Sequence, residues 1–185
     1  MSQGTTIIIQ AENTKGEKHN FFYGTTWGIG RFMPSVFIRL VNLSEVIQYD
    51  RWPWLTNKYF EKFKMTLYHD GLNNIVEDYK ENIEDKEFLD RLDKAPLSNL
   101  KEIQNFIGEY MPCAEFAENG AMVIWAKQKP NLQTEFSFCL LDRDYNPIKY
   151  EDWVKEEHQE DCNESFNALF YAFCKHFQIK EIDIN

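Results

Sequence analysis

Residues 121–141 read AMVIWAKQKPNLQTEFSFCLL, and they indicate the fold class more clearly than any other stretch. The first six residues are almost wholly apolar, which is typical of a strand covered on both faces. In the last eight residues apolar and polar side chains alternate, with Phe136, Phe138 and Leu140 on one face. A loop that contains a proline joins the two segments. The stretch therefore predicts a β-hairpin over residues 120–142.

The part of the chain before this hairpin begins with predicted β-structure, so residues 1–50 are expected to be β-rich. Strands are expected at residues 5–10, 21–26 and 35–41, because these segments are enriched in β-branched and aromatic residues. Residues 36–49 remain ambiguous, since their apolar positions also fit one face of a helix.

Helical periodicity dominates residues 52–111 and residues 150–178. Ser98 is expected to cap the last helix of the first region, and Asn163 is expected to cap or bend a helix in the second. The second region ends with an apolar stripe at helical spacing, which should dock on the core. The stripe consists of Phe166, Leu169, Phe170, Phe173 and Phe177.

These patterns predict an α+β fold. We expect a mainly antiparallel sheet, several helices in the middle of the chain and a long amphipathic C-terminal helix. A chain of 185 residues can bury roughly 70% of its unfolded surface, so one globular domain over residues 1–185 needs neither metal nor disulfide to fold. The four cysteines are scattered without a C-x-x-C pair, and we interpret them as free thiols.

The charge of the chain is unevenly distributed. Residues 1–66 carry eight Lys or Arg and five Asp or Glu, whereas residues 67–185 carry twelve and twenty-five, which together give the net charge of −10. No basic stripe of the kind that contacts phosphates is visible, so nucleic-acid binding is not expected.

Two segments hold most of this negative charge. Residues 77–93 contain eight acids and three bases, and residues 151–164 contain seven acids and one base. Both fall in predicted helices that also carry aromatic side chains. One interpretation is a solvated face that keeps the protein soluble. The other is a surface complementary to a basic partner, which would accelerate docking and orient it.

We expect a non-enzymatic protein that binds or inhibits a basic protein partner through these acidic helices. The small, acidic, aromatic-rich profile is similar to that of bacterial immunity proteins, and this likeness implies a toxin or effector as the partner. The residues predicted to contact the partner are Glu81, Glu84, Asp85, Trp153, Glu156, Glu157, Glu160 and Asp161.

The recognised motifs of catalysis and ligand binding are incomplete in this sequence. The glycines at positions 24, 28 and 30 lack the third glycine of a dinucleotide fingerprint, and the lysine of a P-loop is missing. His158 and Cys162, four residues apart, have the spacing of a zinc pair, but no second paired motif accompanies them. We therefore expect no cofactor and no structural metal, and we name no catalytic residue.

The composition also predicts where the protein resides in the cell, and it leaves a second function open. The chain has no basic, apolar leader at its start and no stretch of roughly 18 apolar residues, so a soluble cytoplasmic protein without membrane association is expected. The alternative to a binding protein is a small enzyme or small-molecule-binding domain with an aromatic-lined pocket.

Overall fold

The computed structural model describes residues 4–25, 30–49, 84–110, 119–131, 133–156 and 159–185, without the side chains of 23–25 and 43–49. The predicted helices between residues 55 and 83 therefore lie outside the described residues. The expectation of one domain over the whole chain stays a prediction.

Two paired strands begin the described chain. β1 spans Thr5–Glu12 and β2 spans Lys18–Thr25, and they pair antiparallel over their full length. Asn13 organises the turn between them, since its side-chain oxygen accepts two backbone hydrogen bonds at 2.9 Å. Gly16 supplies the left-handed conformation of this turn, with a φ of 79°. The first two predicted strands and the loop between them are confirmed.

The hairpin predicted over residues 120–142 is also confirmed. β3 spans Ala121–Gln128, β4 spans Thr134–Leu141, and the two pair antiparallel along their whole length. The predicted alternation of β4 holds, because Phe136 enters one buried cluster and Cys139 enters the other.

The strands of the described residues form one mixed sheet. After β4 come two short strands, β5 (Pro147–Ile148) and β6 (Lys180–Glu181). The order across the sheet is β2-β1-β3-β4-β5, with β6 also beside β4. β1 and β3 run parallel, as do β4 and β6, so a mainly antiparallel sheet is not confirmed. Alternation reveals which side chains share a face, but not the direction of the neighbouring strand.

Helix α1, Phe32–Tyr49, follows the first hairpin. The strand expected at residues 35–41 is therefore wrong, and only the part of residues 1–50 before α1 is β-structure. The residues of this segment suit a strand by propensity, but packing of a helical stripe outweighs that preference. The stripe is buried and has the spacing i, i+3, i+4, i+7 and i+8. It consists of Met33, Val36, Phe37, Leu40 and Val41.

Two helices occupy the described part of the predicted helical region 52–111. α2 spans Lys86–Lys94 and α3 spans Leu100–Tyr110. Asn99 caps α3, since its side-chain oxygen accepts the N–H of Glu102 at 3.0 Å. The predicted cap, Ser98, instead donates its backbone N–H to the Glu102 carboxylate at 2.7 Å. The cap prediction was thus displaced by one residue.

The C-terminal region contains two separate helices. α4 spans Tyr150–Trp153 and α5 spans the 13 residues Glu164–His176, so a long C-terminal helix is not confirmed. Asn163 caps α5 as predicted, by accepting the N–H of Phe166 at 3.0 Å.

The apolar stripe of α5 is only partly buried. Phe170 is 1% exposed, and Phe166, Phe173 and Phe177 pack against the core as half-buried side chains. Leu169 was predicted to belong to the same stripe, but it is 59% exposed. One residue corresponds to about 100° of helix rotation, which places Leu169 at the edge of the buried face.

Helices cover both faces of the sheet. The α1 face is covered by α1, α4 and α5, which pack on Ile7, Ile9, Met122, Ile124, Phe136, Phe138 and Leu140. The α3 face is covered by α2 and α3, which pack on Ile8, Phe22, Val123, Cys139 and Leu141. The alternating side chains of β1, β3 and β4 therefore enter two different cores.

Candidate protein-binding surface

A cluster of buried rings lies under the second acidic segment. Tyr150 and Trp153 project from the same side of α4 and pack beside Phe170 of α5. The ring of Tyr150 lies 4.5 Å from that of Phe170 and 5.9 Å from that of Trp153, between centroids. Trp153 is 0% exposed, so the prediction that its indole contacts a partner is wrong. Its large apolar surface serves the core instead.

Tyr150 joins the elements around this cluster. Its hydroxyl donates to the side-chain oxygen of Asn167 at 2.9 Å, and the amide of Asn167 donates to the carbonyl of Cys162 at 2.8 Å. The backbone N–H of Tyr150 donates to the carboxylate of Glu181 at 2.7 Å. Burial raises the pKa of the Tyr150 phenol, so it stays a neutral donor. These bonds connect α4, α5 and β6 into a preorganised base.

Tyr171 lies at the surface of this base. It is 50% exposed, and its ring meets the edge of Tyr150 at 5.5 Å and 88°. Glu151 of α4, Glu181 of β6 and Lys155, which follows α4, lie near enough to act electrostatically on its phenol. We name this group, with Asp152 beside Lys155, the Tyr171 surface. It consists of Glu151, Asp152, Lys155, Tyr171 and Glu181.

The Tyr171 surface carries three acids and one base. Lys155 bonds to Asp152 at 2.8 Å, which raises the pKa of the lysine. Partial burial raises the pKa of the Glu181 carboxyl, although the N–H of Tyr150 and the charge of Lys149 oppose the shift. Burial, followed by the charges of Glu151 and Glu181, raises the pKa of Tyr171. The surface is thus acidic around a neutral aromatic ring.

The predicted acids of residues 151–164 do not form one tight cluster. Glu156 is exposed, and partial burial together with Asp142 raises its pKa. Glu160 is also exposed. Asp161 lies directly against Gly30, because a Cβ added to Gly30 would lie 2.9 Å from the Cβ of Asp161. Glu157 lies outside the described residues.

The acids predicted in the first segment lie elsewhere. Glu84 is exposed, and Asp85 caps α2 by accepting two backbone N–H groups at 3.0 and 3.1 Å. Because α2 packs on the α3 face, these residues and the Tyr171 surface are on opposite faces of the sheet. The remaining predicted residue, Glu81, lies outside the described residues. A single flat interface therefore cannot include Glu84 and Asp85 together with the Tyr171 surface.

Tyr171 was missed in the prediction from sequence. It follows Phe170 directly, so a helical rotation of about 100° moves it out of the buried stripe and towards solvent. The position of Tyr171 one residue after the stripe could therefore have indicated an exposed aromatic side chain. The acids around it come from α4 and β6, which are brought together only by tertiary packing.

The described cysteines are poor nucleophiles, and the described acids are not grouped for metal binding. Cys139, Cys162 and Cys174 are free, and burial raises the pKa of their thiols to about 12, about 11 and about 12. A thiol with such a pKa is a poor nucleophile at neutral pH. Within the described ranges, no group of three or more His, Cys, Asp or Glu side chains is arranged to hold a metal ion. His158 of the considered zinc pair lies outside those ranges.

Neither a protein-family model, nor a curated protein, nor a solved structure matches this chain. Among the helices that the structure describes, none combines the length and the apolar character needed to cross a membrane.

Proposed function

We propose that this protein is a non-enzymatic binding protein that engages a basic protein partner through the Tyr171 surface. The observation that carries the proposal is a half-exposed tyrosine ring framed by acids on a buried aromatic base. A toxin or another effector in the cytoplasm, neutralised by this contact, is the kind of partner that we propose.

The aromatic ring supplies the binding energy in this proposal. Tyrosine is enriched at interface hot spots because it offers a large contact area and loses little conformational freedom. The ring of Tyr171 packs edge-to-face with that of Tyr150. This contact restricts the Tyr171 side chain, so it loses less conformational entropy on binding. A basic side chain of the partner can stack on the Tyr171 ring and bond to Glu151 or Glu181.

The surrounding acids supply orientation and speed. Charges at the rim of an interface act mainly on the association rate, because they attract the partner before contact is made. The chain as a whole has a net charge of −10, which adds long-range attraction for a basic protein.

Site-specific crosslinking tests the proposal. A photoreactive p-benzoylphenylalanine is placed at position 171, and in a matched variant at position 169, which is similarly exposed on another side of α5. Both proteins are irradiated in cells of the native host. We expect the 171 variant to capture one basic protein that the 169 variant does not. Equal capture at the two positions, or capture of acidic proteins only, would contradict the proposal.

A further inference from the structure

Two polar rows cross the α3 face of the sheet at one end. Side chains directly opposite in neighbouring strands share a face, so the strand registers place them in order. The first row contains Lys18, Glu12, Lys127 and Glu135, from β2 through β1 and β3 to β4. The second row contains Asn20, Gln10, Trp125, Ser137 and, on β6, Lys180.

Most of these side chains line the floor of a groove of about 300 Å³, and Asn20 and Lys180 are their neighbours in the strand pairing. Leu97 and Ser98, between α2 and α3, contribute to its lining, as do Ile182 and Ile184 at the end of the chain. A volume of this size is at the lower end of the range for small-molecule sites, which begins at about 300 Å³.

Trp125 is the aromatic side chain of this floor. Its indole N–H donates to the carbonyl of Leu97 at 3.1 Å, which fixes the orientation of the half-buried ring. Gln10 and Asn20 are fully engaged nearby, since they bond to each other and to the end of α2. The ring of Trp125 thus provides a fixed flat surface for a ligand.

The groove is lined by two lysines and two glutamates, and two more lysines beside it, Lys129 and Lys180, make the local charge positive. Glu12 lies between Lys127 at 3.2 Å and Lys18 at 4.0 Å. Glu135 bonds to Lys129 at 2.8 Å, which lowers the pKa of its carboxyl together with the charges of Lys180 and Lys127. Four lysines therefore surround two glutamates, in a chain whose net charge is −10.

We propose that this groove binds a small organic anion that carries an aromatic ring. The ring would stack on Trp125, while a carboxylate or phosphate would bond to Lys127 and Lys180 at the open rim. Lys127 is 62% exposed and Lys180 is also exposed, so an anion can reach both, in competition with Glu12 for the ammonium of Lys127. Carboxylate and phosphate share the chemistry that the rim recognises. This site lies on the α3 face, so it is independent of the Tyr171 surface.

Paired probes test the ligand class. Titration calorimetry is carried out with benzoate, indole-3-acetate and adenosine monophosphate, and with their neutral counterparts benzamide, indole-3-acetamide and adenosine. We expect at least one anion to bind with a Kd below about 1 mM and its neutral counterpart to bind about tenfold more weakly or not at all. If no anion binds, or if the neutral counterparts bind equally well, the proposal is wrong.

Lysine variants locate the bound anion. Lys127→Gln and Lys180→Gln should each weaken the anion about tenfold, because each loses a charge-assisted bond. Lys175→Gln, an exposed position on α5, removes the same charge far from the groove and should leave the Kd unchanged. Equal effects of all three variants would show only a general charge effect and would overturn the proposed site. Melting temperatures confirm that each variant is folded.

Discussion

Phe170 and Leu169 are neighbours in helix α5 with opposite environments, since they are 1% and 59% exposed. Phe170 contacts the rings of Phe138 and Tyr150, at 5.8 and 4.5 Å. We expect Phe170→Ala to lower the free energy of unfolding by about 3–5 kcal/mol, because it removes buried apolar surface and leaves a cavity. Leu169→Ala is the matched control and should change it by less than about 0.5 kcal/mol. Urea denaturation of both variants measures the difference, and equal losses would contradict this packing.

Gly120 is required by backbone conformation and by space. Its φ is 78°, and a Cβ would clash with the carbonyl oxygen of Leu141 in the adjacent strand. The left-handed conformation alone costs an alanine about 1–2 kcal/mol. Because the clash adds to this cost, Gly120→Ala should destabilise the protein by more than that amount. Gly108, in α3, has open space around it, so Gly108→Ala should stabilise by about 0.5–1 kcal/mol. Thermal unfolding of the two variants should thus shift in opposite directions, and shifts in the same direction would contradict this account.

Glu181 predicts a pH dependence of stability. Its pKa is raised in the folded protein, chiefly by partial burial, so folding favours the protonated form. This contribution is fully present below the unfolded pKa and is lost as the pH rises through the folded pKa. Glu181→Gln keeps an acceptor for the N–H of Tyr150 but removes the charge. It should stabilise the protein at pH 7 by less than about 1 kcal/mol, since the group is half exposed.

The two pH limits provide the check for Glu181. Unfolding is measured at pH 7 and again well below the ordinary pKa of a glutamate. The Gln variant should be no more stable than the unmodified protein at the acid pH, where the glutamine and the protonated glutamate are both neutral. A gain that is equal at the two pH values would show that the charge of Glu181 is not its cause.

Helix α2 is attached to the sheet by two amide side chains. Asn20 is fully buried, and its amide donates to the carbonyls of Leu92 and Ala95 at 3.0 and 2.8 Å. Gln10 donates to the side-chain oxygen of Asn20 and also to the carbonyl of Ala95. These bonds give the carbonyl of Ala95 two side-chain donors, and they give the carbonyl of Leu92 a second donor beside the backbone N–H of Ala95.

Removal of Asn20 should therefore loosen α2 selectively. Asn20→Ala should cost about 1–3 kcal/mol, because it removes the three hydrogen bonds that this buried side chain makes with Gln10, Leu92 and Ala95. Hydrogen exchange should accelerate in the amides of α2 more than in those of β4. Asn146→Ala, at an exposed position before β5, is the matched control and should change neither. Uniform acceleration across the protein would contradict a local attachment.

The sequence predicts some of these elements better than others, for physical reasons. The β3–β4 hairpin was predictable because local alternation and a turn define it. Helix α1 was taken in part for a strand, because its β-branched and aromatic residues suit either structure until its buried partners are known. The parallel pairing of β1 with β3 was not predictable, since it depends on contacts between segments far apart in the chain.

On the scale of the whole molecule, one acidic surface and one basic rim lie on opposite faces of the described sheet. The Tyr171 surface is acidic and lies on the side of the α1 face, whereas the groove at Trp125 has a basic rim on the α3 face. The uneven charge along the sequence pointed to acidic segments, but it did not indicate this basic rim. The four lysines come from three distant parts of the sequence, at residues 18, 127–129 and 180, and the sheet brings them together.

The central claim is that the acids of the Tyr171 surface attract a basic partner. Its most direct test is the association rate of the protein captured at position 171, measured at low salt with two charge reversals. Glu151→Lys lies on the Tyr171 surface, and Glu109→Lys makes the same change of net charge on α3. We predict that Glu151→Lys slows association about tenfold more than Glu109→Lys does, and that the difference shrinks as salt is raised. Equal rates for the two variants would contradict the claim.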